Sequence, residues 1–257
     1  MVSFNSHNLP FSRRTSGRRL IFVSEASILK MVDLEVVLAR TQILENVNLT
    51  VNAELVWLTG RNGAGKSTLM RALAGLLPFK GDVEIMGHSP RSIEARSKFA
   101  FVPDEPALYE DLTLLEHCRF QALAYHQPEA EARMLEFLKQ FSLENRLGEF
   151  PSSHSRGMRQ KLSLSLCLGL ELPLLVLDEP FNGLDAPAQT LLSSALRDRV
   201  KAGHAVIVSA HQGDLAKTML EGNVKARVLL IEDANLKDTS LAVGVRIESQ
   251  NLAEINA

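Results

Sequence analysis

The sequence predicts an α/β fold: buried strands flanked by helices, interrupted by a helical insert. Three observations predict it. An apolar run, Leu55-Val56-Trp57-Leu58, feeds a glycine-rich loop, and the loop feeds a helical pattern, Leu69-Met70-Arg71-Ala72-Leu73. A second apolar run, Leu174-Leu175-Val176-Leu177, ends on paired carboxylates. Between the two, residues 104–170 carry helical patterns and caps. Strands alternating with helices form an α/β core, and a block of helices between them reads as an inserted subdomain.

The first strands are expected at 34–38, 43–51 and 55–59, the first two as a hairpin. The helix after the glycine loop is expected to end near Gly75, with Pro78 beyond it. Alternation over 82–86 predicts a half-exposed strand, and 99–102 a short one that stops at Pro103. Thr113-Leu114-Leu115-Glu116 is a capping-box pattern that starts a helix. A second helix is expected over 128–141, with Met134, Leu135, Leu138 and Phe141 on one face packed as core. Ser155 reads as the cap of a third helix reaching Leu170. A strand at 174–177, a helix at 188–200 and strands at 205–208 and 227–231 complete the pattern before a polar tail.

The expected domain spans 31–238, followed by a tail over 239–257. Residues 1–30 differ in composition, with Arg13, Arg14, Arg18 and Arg19 among serines and no acidic residue before Glu25. That segment reads as a disordered extension or a start placed ahead of Met31, with an organelle transit peptide as the alternative.

The loop is Gly60-Arg61-Asn62-Gly63-Ala64-Gly65-Lys66-Ser67, followed by Thr68. It fits G-x-x-x-x-G-K-[ST] in the strand–loop–helix context that the pattern requires. Glycines let the backbone turn so that its N–H groups face phosphate oxygens, and the helix N-terminus adds positive potential. Lys66 is expected to reach the β- and γ-phosphates, and the Ser67 hydroxyl to ligate Mg²⁺.

Asp178 and Glu179 end a buried strand, where ligands of open α/β sheets bind. Asp178 is placed to hold Mg²⁺ and Glu179 to polarise an attacking water. An exposed acidic turn is the competing explanation, and the glycine loop upstream weighs against it. Ile207-Val208-Ser209-Ala210-His211 is another buried strand, ending on a histidine able to hydrogen-bond a γ-phosphate. His154-Ser155-Arg156-Gly157-Met158 opens a helix with a capping hydroxyl, a natural anion site, although a plain capped helix has the same pattern.

Composition bounds the rest. The chain has 257 residues, 46% hydrophobic and 23% charged, which is ordinary globular material. A formal net charge of −2 argues against wholesale electrostatic binding of nucleic acid, so none is expected as a partner. Cys118 and Cys167 lie in apolar helical patterns and read as buried free thiols, consistent with a reducing compartment. No apolar run approaches the ~20 residues that span a bilayer, so at a membrane another chain must cross it.

These four pieces, in this order, resemble the ATP-binding subunit of an ABC transporter over about residues 31–238. Gly60 to Ser67 matches Walker A, and Leu174 to Asp178 matches Walker B, with Glu179 at the catalytic-glutamate position. Residues 154–158 match the signature usually written LSGGQ, Asn182-Gly183-Leu184-Asp185 the D-loop, and His211 the switch histidine. The resemblance implies a P-loop NTPase core with a mixed sheet flanked by helices, an N-terminal antiparallel β-subdomain and an inserted α-helical subdomain. It implies ATP and Mg²⁺ as ligands and a head-to-tail dimer of two such domains, like or unlike. It also implies a membrane permease as partner, received by the helical insert, and hence a cytoplasmic place on the inner face of the membrane. Lys66, Glu179 and His211 would be catalytic. Gly60 to Thr68 would bind the chain's own nucleotide, and Ser155, Gly157 and Asp185 would act at the nucleotide of the dimer.

Three positions depart from the family pattern. Asp104 stands where a Q-loop glutamine is expected and still offers the metal an oxygen; His154 and Arg156 replace a leucine and a glycine of the signature. No aromatic stands at the adenine-stacking position, where Arg40 lies nearest. The stretch from Val102 to Tyr109 with Leu112-Thr113 looks like bacterial export-type subunits. The alternative is a soluble ABC-type ATPase such as a cluster-assembly factor; a single motif set and a short insert speak against translation-type and repair-type members. Intact Lys66, Asp178, Glu179 and His211 speak against a non-hydrolysing subunit.

Overall fold

The structure, a computed structural model, describes residues 27–210 and 224–239. Strands β1 (Leu29–Leu38) and β2 (Thr41–Val51) form the expected hairpin. Its two-residue turn places Ala39 and Arg40 at φ 47° and 68°, the paired left-handed conformation that matches strand twist. Arg40 is exposed there. β1 opens at Leu29, five residues ahead of the expected strand. Leu29 is fully buried and pairs with Val51 and Ile85, and Ile28 N donates to Val51 O, so the last three residues of the segment set apart as an extension belong to the fold.

Next come β3 (Leu55–Thr59), α1 (Lys66–Leu73), β4 (Lys80–Ile85), the short α2 (Ile93–Arg96) and β5 (Phe99–Val102). The insert contains α3 (Leu114–Ala124), α4 (Ala130–Gln140), two 3₁₀ turns and α5 (Arg156–Leu168). The capping box is present: Thr113 Oγ1 accepts from Glu116 N at 3.3 Å, and Thr113 N donates to Glu116 Oε2 at 2.8 Å. Met134, Leu138 and Phe141 are buried as the helical spacing predicts, with Leu135 half-buried. The Tyr125 hydroxyl donates to Phe99 O at 3.1 Å and ties the insert to β5.

The chain then forms β6 (Leu174–Asp178), α6 (Ala186–Lys201), β7 (Ala205–Ser209), β8 (Ala226–Glu232) and β9 (Asn235–Asp238). Helix α6 starts two residues early because Asp185 caps it and Pro187 is tolerated in a first turn. Short α2 and exposed β9 carry no apolar period and were not expected from the sequence.

Two sheets result. β2-β1-β4 is antiparallel; β5-β6-β7-β3-β8-β9 is mixed, with only the β8–β9 pair antiparallel. The central strands are buried on both faces. Leu55, Trp57, Leu175, Leu177, Val206 and Val208 face a core shared with the insert, and Val56, Leu58, Leu174, Val176 and Ile207 face one shared with the antiparallel sheet. Each such side chain contributes about 1.5–3 kcal/mol by burial, which fixes the strand ends that carry the site. Cys118 and Cys167 are buried free thiols, each pushed up to about 12 by desolvation.

Candidate nucleotide-binding site

The glycine loop leaves β3 by a close approach to β8. Gly60 has φ 148°, and a Cβ there would stand 2.6 Å from Ile231 O, so a side chain is excluded twice over. Lys66 is only 6% exposed. Its Nζ folds back on the loop, donating to Gly60 O at 2.8 Å and Arg61 O at 3.4 Å. Burial lowers the Lys66 pKa, and Glu179 and Asp178 oppose that shift, so lysine and carboxylates share one field. Helix α1 starts on Gly65 with no capping side chain and no acidic residue in its first turn. Its N-terminal amides are therefore left for an anion. Ser67 and Thr68 lie in that turn, half-buried, and α1 packs on β6.

β6 and β7 end in register, with Asp178 opposite Ser209, and both residues are fully buried. Ser209 Oγ donates to Asp178 Oδ1 at 2.7 Å. The same hydroxyl accepts from Glu179 N at 2.9 Å, and Ser209 O accepts from it at 3.2 Å. Glu179 is held at φ 49°, and Phe181 just beyond it packs 6.3 Å from Trp57. Asp178 Oδ2 has no hydrogen-bond partner among the described residues. A buried carboxylate oxygen without a donor is costly, and a cation is what relieves it. The site therefore fits a cation such as Mg²⁺, which Asp178 and Ser67 would hold. No group of three or more His, Cys, Asp or Glu able to hold a metal occurs among the described residues. An ion here would keep water and phosphate ligands, as Mg²⁺ usually does.

Ser209 escaped notice as a site residue in the sequence. The available signal was a polar residue at the carboxyl end of an apolar strand, where Asp178 stands on its neighbour.

The signature segment has different partners. The His154 side chain is fully buried and meets Glu149 Oε2 at 3.0 Å, which accounts for a polar residue at an apolar signature position. Ser155 caps α5, its Oγ accepting from Met158 N at 3.3 Å. A Cβ on Gly157 would lie 2.4 Å from Gly183 O, so this glycine is required within the chain itself. Gln160 Nε2 donates to Pro180 O at 3.2 Å, and Lys161 Nζ to Asp185 Oδ2 at 2.8 Å. Asp185 Oδ1 accepts from Ala188 N at 3.0 Å.

Two expected site residues have partners within the chain. Asp185, expected at the nucleotide, uses one carboxylate oxygen to cap α6 and the other to pair with Lys161. Asp104, expected at the metal, uses Oδ1 to accept from Arg156 Nη2 and Asn182 Nδ2, both at 3.0 Å. A carboxylate shorter than glutamine, beside an arginine, takes the nearer cation. His211 lies outside the described residues, as do 1–26 and 240–257.

The ABC transporter family matches residues 44–182 of the chain. The chain is 36% identical to the ABC-type transporter ATP-binding protein EcsA of Bacillus subtilis (strain 168), over 84% of its own length and 94% of that protein. The chain belongs to the ATP-binding subunits of ABC transporters. It is also 36% identical to the SkfA peptide export ATP-binding protein SkfE of Bacillus subtilis (strain 168), over 75% of its length and 80% of that protein. A solved ATP-binding subunit of an ABC transporter superposes with a TM-score of 0.80 at 32% identity, covering 90% of this chain and all of that one. The chain is thus an ATPase subunit that powers ABC transport, with the antiparallel, mixed-sheet and helical parts of that fold. None of its described helices is long and apolar enough to cross a membrane. ATP-binding subunits of ABC transporters work with permease components.

Proposed function

We propose that this ABC ATPase subunit hydrolyses ATP with Mg²⁺ in a head-to-tail pair and drives export through a separate permease, from the inner face of the membrane. The observation that carries the chemistry is the buried cluster of Lys66, Asp178 and Glu179 beside the uncapped start of α1. Export rests on the resemblance of residues 102–113 to export-type subunits and on the name of the relative SkfE.

In this reading the amides of Gly60 to Thr68 receive the phosphates, and Lys66 leaves Gly60 O to pair with them. Asp178 and Ser67 would hold Mg²⁺, which would supply charge neutralisation at the phosphate oxygens. Glu179 accepts a proton from water as the water oxygen bonds the γ-phosphorus and the bond to the β–γ bridging oxygen breaks. Ser209 holds Asp178 and the Glu179 backbone in place. Ser155 and Gly157 serve the nucleotide of the partner chain. His211 retains its expected γ-phosphate contact on its motif alone.

The test is phosphate release by the full chain, alone and with a permease that co-purifies with it, with and without Mg²⁺. Glu179→Gln is expected to lower turnover by about 10²–10⁴-fold while ATP binding persists. Activity no higher than that of Lys66→Ala, in both preparations, refutes the reading.

A further inference from the structure

We propose that Asp104 is a positioning residue that ties Arg156 to Asn182, so that the start of α5 and the segment after Glu179 move as one piece within a chain. Its carboxylate joins three separate stretches: the loop after β5, the first turn of α5 and the loop after β6. One oxygen accepts from Arg156 Nη2 and from Asn182 Nδ2, each at 3.0 Å.

Charge explains why this tie needs an aspartate. Arg156 is the first residue of α5, a 13-residue helix with no acidic residue in its first turn. A cation is disfavoured there by the positive end of the helix dipole. Asp104 supplies the missing negative charge from another part of the chain. A neutral glutamine at 104 would leave that cation uncompensated, and a glycine at 156 would leave the aspartate without its ion pair. The two departures from the family pattern therefore compensate each other.

The surrounding packing leaves the tie little slack. Gly157 abuts Gly183, Gln160 bonds Pro180, and Lys161 bonds Asp185. The same junction is thus closed at three further places along α5 and the 180–185 segment. The Arg156 and Asp104 side chains are 62% and 42% exposed, so the pair adds little to global stability. Its effect is on register, and it is sensitive to salt.

The functional arm of the test rests on the ATPase reading above; the first arm does not. In the nucleotide-free full chain, hydrogen exchange of a peptide spanning 155–165 is compared for wild type, Asp104→Asn, Arg156→Gln and the double variant. Each single change is expected to speed exchange about threefold, the double variant no more than either, with the non-additivity fading near 1 M salt. In ATP hydrolysis, either single change is expected to lower kcat severalfold with KM for ATP and the Mg²⁺ half-saturation unchanged. Additive effects on exchange, or coupling indifferent to salt, overturn the proposal. So does a raised Mg²⁺ requirement in Asp104→Asn that Arg156→Gln lacks, which would return Asp104 to the metal. Exchange coupling in a chain without hydrolysis supports the tie and removes the catalytic reading instead.

Discussion

Helices α1 and α5 begin in opposite ways. The start of α1 has no side-chain cap, lies against a buried lysine, and follows a loop in which Gly60 is forced against the backbone of β8. The start of α5 is capped by Ser155, exposed, and carries a cation at its first position, balanced by Asp104 from another segment. Both are helix N-termini and both present amides, yet only one is left open within its own chain. An anion site ready to fill needs unspent donors and a low-dielectric wall. A surface that completes a site across an interface needs rigidity instead, and α5 obtains it from Asn182, Gly183 and Asp185. In the proposed head-to-tail pair, the contrast would let one chain carry a loading half and a closing half without the two competing for one nucleotide.

The largest expected effect separates the halves. Ser155→Arg is expected to reduce turnover by about 10²-fold or more while leaving ATP binding to the single chain within about twofold, because in the proposed pair the group acts on the partner's phosphate. Part of the change is structural, since losing the cap costs about 1 kcal/mol. Ser155→Asp keeps a capping oxygen but repels phosphate, and is expected to block turnover with near-normal melting. Loss of single-chain ATP binding in either variant would place Ser155 in the loading half and erase the distinction.

Ser209→Ala probes the other half and is expected to be smaller. It removes the donor to Asp178 Oδ1 and one of two acceptors for Glu179 N; Ser209 O still accepts from that amide. A hydrogen bond to a charged group is worth about 1.5–3 kcal/mol, so kcat/KM should fall roughly 10–100-fold, together with the melting temperature. Unlike the Ser155 variants, this one should weaken ATP·Mg²⁺ loading in the single chain. Unchanged loading would mean that β7 does not position the carboxylates.

The two halves also differ in how far the sequence exposed them. The loading half was legible because its chemistry is local: glycines, lysine and serine are contiguous, and an apolar strand announces Asp178 and Glu179. The insert was legible through its Thr113–Glu116 cap and the spacing of Met134 and Leu138. Ser209 was hidden because its role depends on the register of two strands separated by all of α6. The in-chain partners of Asp104 were hidden for a related reason. Position suggested a metal, but its partners Arg156 and Asn182 lie 52 and 78 residues away. Long-range pairing of polar residues leaves no period to read. The early start of β1 at Leu29 was likewise set by pairing with both β2 and β4.

The smallest expected effect tests whether charge contributes to the rigidity of the closing half. Asparagine caps helices about as well as aspartate, so Asp185→Asn should preserve the start of α6 and remove the negative charge, with its ion pair to Lys161 and its attraction to the helix dipole. The Asp185 side chain is 58% exposed, which limits that loss to below about 1 kcal/mol. Its carboxyl is held below the ordinary range first by the Lys161 hydrogen bond and then by the Ala188 amide. A carboxylate with a depressed folded-state pKa stabilises fully above its unfolded value, about 3.9, and loses that contribution as pH falls through the lower folded value. Wild type should therefore melt slightly above Asp185→Asn at neutral pH, and the gap should close on acidification below about pH 4. Added salt should narrow it at neutral pH as well. A gap that persists in acid would mean that shape, not charge, joins Lys161 to Asp185, and that the junction between α5 and the segment after Glu179 is held by the Gly157–Gly183 contact and its neighbours alone.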